Sequence, residues 1–246
     1  MDIRKRITFT QLLSHCSGPD LSEEGIEVVV CYLEDEEGAD HQINAAKALK
    51  EKGKIVLSIG WLTSPSENKK AIRSSLGRAM LLQRASDGCI LLNKDSFIDR
   101  GCKPEEVGTQ IELMTSDIEQ GLQDILRDGP INIEAETLRE VLRDCGTFMV
   151  TYGDGTGADR VELAFHNAYE SMMYKGLDLK TAQTLIIKVL VSKEDTLSTV
   201  EQTELKQLIS ELPEGMDIIF GLGTSDLEAG QIQIVILGTG VLSVLG

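Results

Sequence analysis

Short apolar runs alternate along the chain with longer segments in which apolar residues recur every three or four positions. EVVVCYL (27–33) is a continuous apolar run of the kind carried by a buried parallel strand. NAAKALKEKG (44–53) follows with helical spacing and a closing glycine, and KIVLSIGWL (54–62) is a second buried strand. The three predict a βαβ unit whose loop, LEDEEGADH (33–41), lies at the carboxyl end of the first strand. SENKKAIRSSLGRAMLLQRASDG (66–88) reads as a further helix capped by Ser66, and CILLNKDSF (89–97) as a third strand. The stripe in PEEVGTQIELMTSDIEQGLQDILRDG (104–129) predicts a long central helix, which Gly129-Pro130 ends. INIEAETLREVLRDCG (131–146) then gives a short extended piece and a helix starting at Glu134 or Ala135.

The second half reads as TFMVTYGDG strand, ADRVELAFHNAYESMMYKG helix, TLIIKVLVS strand, TVEQTELKQLISELP helix, MDIIFGLGTS strand and QIQIVILGTGV strand. That pattern predicts a compact α+β layer of four strands with two helices on one face. No repeat or low-complexity linker separates the halves, so both are expected to pack around the 104–129 helix.

Charge narrows the function classes. A net charge of -16 argues against a nucleic-acid partner, because phosphate binding needs clustered Lys and Arg. The five cysteines are scattered, no CxxC pair occurs, and no His stands at zinc-ligand spacing from a Cys. Reduced cytosolic thiols and no metal are expected. MDIRKRITF has charges without an apolar core after them, so no signal peptide is read. The terminal run IQIVILGTGVLSVLG is shorter than the roughly 20 residues of a spanning helix and holds three glycines, which predicts a buried strand.

Four stretches carry candidate chemistry. GDGTGADR (153–160) has the order strand, glycines, helix of a phosphate loop. Asp154 and the missing GK[ST] lysine favour a glycine turn instead. INIEAET places Asn132, Glu134 and Glu136 where an amide and carboxylates can position a water or a cation, or simply begin a helix with acids on its dipole. LEDEEGADH carries Glu34, Asp35, Glu36, Glu37, Asp40 and His41; its acids would reject a phosphate and could attract a cation, but it reads as a solvated acidic loop, one His beside carboxylates being weak evidence for a metal. SENKKAIR sets Lys69, Lys70 and Arg73 at a helix start, to meet an anion or face solvent.

Taken in order, these pieces resemble the tubulin/FtsZ superfamily, and FtsZ within it. GPINIEAETLREVLRDCGTFMVTYGDGTGADRVELAFHNA (129–168) looks like the segment running from the central helix through the synergy loop into the second domain. TLIIKVLVSKEDTLSTVEQTELKQLI and MDIIFGLGTSDLEAGQIQIVILGTG resemble that domain's later strands. EVVVCYL through KIVLSIG, SENKKAI and DGCILLNKDSFI resemble the later part of the nucleotide domain. The likeness covers about residues 26–241. It implies an α/β fold: a shortened Rossmann-like parallel-sheet domain (1–103), a central helix (104–129) and a smaller α+β second domain (130–246).

The departures shape the functional expectation. The family's GGGTGTG signature falls at LEDEEGADH, which has one glycine and an excess of negative charge. The opening βαβ region with its first glycine loop is not matched. The phosphate-contacting arginine falls near Ala71, while Glu67, Lys69 and Lys70 match, and Asn93 sits in the base-contacting region. In the synergy loop Asn132 matches, Glu134 stands for the first acid and Thr137 for the second, with Glu136 one residue away. The resemblance thus implies a cytoplasmic bacterial protein related to cell division or the cytoskeleton, non-catalytic, associating with itself or with an FtsZ-like filament. It is expected to have no cofactor, no nucleic-acid partner and no membrane span. The alternative is a GTP-binding enzyme with an altered phosphate loop, and a third is a free-standing fold with a small-molecule role.

Overall fold

The computed structural model describes residues 19–62, 69–95, 97, 101–171, 174 and 176–242. The first half forms β1 (Ile26–Tyr32), α1 (Glu36–Glu51), β2 (Ile55–Leu62), α2 (Lys69–Ala85) and β3 (Gly88–Asn93). The strands make a parallel sheet in the order β1-β2-β3, with Val29 beside Ser58 and Ile59 beside Ile90. A parallel sheet is covered on both faces, so β2 is buried from Ile55 to Trp61 and reads as an almost unbroken apolar run. α1 and α2 cover one face through Ala39, Ile43, Ala46, Ala79 and Leu82.

A 3-10 turn (Pro104–Glu106) leads into α3 (Val107–Ile125), the central helix of the sequence reading. Its buried residues Ile111, Met114, Ile118, Leu122 and Ile125 fall three or four apart, which turns one stripe inward. Gly121 lets α3 approach the second sheet closely, because a Cβ there would run into Val150. α4 (Ala135–Leu142), β4 (Phe148–Thr156), α5 (Arg160–Tyr169), β5 (Thr184–Ser192), α6 (Thr199–Ser210), β6 (Asp217–Ser225) and β7 (Gln231–Thr239) complete the described chain. The second sheet runs β4-β7-β5-β6, antiparallel except for the β5–β6 pair that α6 connects. α3 packs on one face through β4, β5 and β7; α5 packs on the other through β4 and β7, with α6 beside it. The larger apolar cluster is continuous from Ile55, Leu57 and Ile59 in β2, through α3, to Ile186, Val235 and Leu237 in the second sheet.

Two expectations need correction. The 33–41 stretch is not a loop: α1 starts at Glu36, eight residues before the predicted helix, and only Leu33–Asp35 connect it to β1. Asp35 caps the helix, Glu36 and Glu37 sit favourably in its first turn, and Ala39, Ile43 and Ala46 supply its buried stripe. The glycines of GDGTG are not a turn either, since β4 continues to Thr156 and pairs Gly153 with Ile234 and Gly155 with Ile232. A Cβ at Gly153 would run into the Ala164 carbonyl, and one at Gly155 into the Arg160 carbonyl, so these glycines let α5 lie on the strand. Of the three, only Gly157, with φ 82°, needs the left-handed region. The terminal apolar run forms β7 as far as Thr239, its last four residues lying outside the described ones, and among the described residues no helix is long and apolar enough to cross a membrane.

Candidate functional site

The candidate residues fall at opposite ends of the first sheet. At the carboxyl end, Asp35 turns its side chain back to accept from the Gly38 amide, 3.3 Å away. A helix N-terminus offers open amides to an anion, and here the chain's own carboxylate takes one of them. A Cβ at Gly38 would strike the same carboxylate, which measures how closely it sits on the turn. Arg78, buried on α2, donates to the Leu33 carbonyl at 2.7 Å and pairs with Glu36 at 3.2 Å. Lys94 pairs with Glu34. Glu34, Asp35 and Glu36 are therefore tied to neighbouring cations or to the helix end. Cys31, at the end of β1, has its thiol pushed up to about 11 by burial, so it stays protonated. Among the described residues no group of three or more His, Cys, Asp or Glu is arranged to hold a metal.

Asn93 closes β3 at this end, and its side-chain oxygen accepts from the Asp95 amide at 2.9 Å. Lys69 and Lys70 are exposed in the first turn of α2. Glu67 and the cap residue Ser66 lie outside the described residues.

At the other end, the segment after α3 crosses the free edge of β6. Ile131 and Leu222 exchange backbone hydrogen bonds of 3.1 and 2.9 Å, and the Thr224 amide donates to the Asp128 carbonyl at 2.9 Å. Asn132 turns its side-chain oxygen back to accept from the Gly129 amide at 2.8 Å. Glu134 occupies the cap position of α4 in extended conformation, exposed and without a cap hydrogen bond. Asn132 and Glu134 share a 640 Å³ cleft with Glu24, Arg127, Asp128 and Lys193. Glu136 is not in it: further along the helix, it pairs with Arg139, whose guanidinium also donates to the Glu24 carbonyl. Asn132 and Glu134 thus form one surface. Neither meets Asn93, Lys69 or Lys70 within the chain, because Glu24 and Gly25 precede β1 whereas Asn93 ends β3.

Sequence reasoning missed Arg78, Asp35 as a cap, and Lys188. The last had a visible signal: one charge in the middle of TLIIKVLVS. Arg78 had none, since its role depends on α2 lying over the end of β1.

This two-sheet arrangement around a central helix is the tubulin/FtsZ superfamily fold. Two solved structures carry that statement: the empty FtsZ dimer of M. jannaschii (TM-score 0.70, 18% identity, 87% of this chain and 62% of that one) and GDP-bound CetZ1 of Haloferax volcanii (0.71, 18%, 90% and 66%). By sequence the chain is similar to the cell division protein FtsZ of Porphyromonas gingivalis, 26% identical over 191 residues, and of Caulobacter vibrioides, 25% identical over 202. The aligned parts are 75% and 80% of this chain, but only 42% and 39% of the length of those two relatives. No family model matches the chain.

Proposed function

We propose that the chain is a non-catalytic FtsZ-like structural or regulatory protein, related to cell division or the cytoskeleton, that associates end to end with itself or with an FtsZ-like filament. The observation that carries this reading is the α1 N-terminus: where the resembling family has its phosphate glycines, Asp35 caps the helix and Glu36 pairs with Arg78. A triphosphate brought there would displace the cap and meet several carboxylates. The Asn132–Glu134 cleft at the opposite end supports association, since a surface there meets the carboxyl end of the sheet only in a second molecule.

Two measurements test this. Sedimentation of the chain alone and mixed with a filament-forming FtsZ, with and without GTP, is expected to show association; none under any condition sinks the partner assignment. Titration with GTP and magnesium is expected to give no binding tighter than ~100 µM, about -5.5 kcal/mol. Tighter binding, or guanine nucleotide carried by the purified protein, would establish the GTP-binding alternative instead.

A further inference from the structure

Lys188 sits in the middle of β5, buried, on the sheet face toward the segment that follows α3. Its stem lies along β6 where that strand has no side chains: a Cβ at Gly221 would stand 2.9 Å from its Cδ, and one at Gly223 2.7 Å from its Cε. At the end of this channel the ammonium donates to the Ile131 carbonyl at 3.4 Å and is attracted by the charge of Asp128, with which it forms no ion pair. The nearby Asp124 and Arg127, at the end of α3, pair with each other. The neighbouring strands set Gly221 of β6 and Val235 of β7 beside the lysine, and neither brings a charge. Burying an ammonium with one long hydrogen bond is unfavourable, and an apolar side chain would be the more stable choice for the channel.

We propose that Lys188 is a positioning residue for the Asn132–Glu134 surface, its ammonium clamping the 128–131 backbone from behind. The effect on association rests on the functional reading above; the effect on the segment does not. Burial lowers the Lys188 pKa to about 8, so the clamp is charged at neutral pH; above that value the amine keeps N–H donors but loses the charge that strengthens its hydrogen bond and draws it to Asp128.

Hydrogen exchange on the full chain tests the clamp without any variant. Protection of the Gly129 and Ile131 amides, corrected for intrinsic rates, should fall about tenfold between pH ~7 and ~9.5, while the β7 amides stay protected. Lys188→Met should remove that pH dependence, expose the two amides at neutral pH, and leave the thermal midpoint unchanged or higher. Unchanged protection in both experiments overturns the proposal. So does a midpoint that drops with exchange rising throughout β5 and β6, which is the signature of a merely structural lysine. If the exchange result holds but both proteins associate to the same extent, the clamp stands and its effect on association falls; if neither associates under any condition, the functional reading falls and the clamp still stands.

Discussion

Arg160 shows what a single buried charge costs and contributes. Its guanidinium is held between Asp195 and Glu201 and also donates to the Thr196 carbonyl at 3.3 Å. Hydrogen bonds from Arg160 hold both carboxyls below their ordinary values of 3.8 and 4.5. Depressed carboxyls contribute stability that is present above those values and lost as pH falls through the lowered ones. Arg160→Gln should therefore destabilise the protein by about 2 kcal/mol or more at neutral pH and flatten the acid limb of its stability profile below pH ~4, measured by urea unfolding. Lys188 has the opposite sign. Its folded value near 8 lies below its ordinary 10.5, so the unfolded chain binds more protons between them and stability should rise with pH in that window. Lys188→Met should abolish the rise.

Among the elements, β4 and α5 are the pair whose contact depends most on glycine. Gly153→Ala would push a methyl into the α5 backbone, and the nearest atoms there are main-chain atoms of Ala164 and Ala168 that cannot swing aside. A loss of about 3 kcal/mol is expected, against about 1 kcal/mol for Gly157→Ala, where only the left-handed backbone is strained. Equal costs at the two positions, in the same unfolding assay, would restore the turn reading of GDGTG. At α6, Ser198 accepts from the Glu201 amide while Glu201 reaches back to the Ser198 amide. Ser198→Ala should cost about 1 kcal/mol.

For the molecule as a whole, the main consequence of the fold is the separation of the two candidate ends. Glu134 is exposed and pairs with no cation among the described residues, so Glu134→Lys should change stability by less than about 0.5 kcal/mol. Sedimentation should nevertheless show weaker association, since the reversed charge lies in the cleft.

Hydrophobic periodicity alone determined most of the architecture. The seven strands of the described residues, the central helix and the make-up of the second layer were legible, because burying an apolar face demands period 2, period 3.6 or an unbroken run. Where acids or glycines carried two meanings, it failed. LEDEEGADH reads equally as a solvated loop or as a capped first turn, and the choice was made by α2, which brings Arg78 to Leu33 and Glu36. GDGTG reads as a turn until β7 pairs with it and α5 lies on it. Asn132 and Glu134 were legible as candidates. That they share a cleft, that Glu136 leaves it, and that Lys188 stands behind it were decided by contacts between segments far apart in the chain. Such contacts have no local signature, since a side chain's partner across a sheet or over a helix end is set by packing and not by its neighbours in sequence.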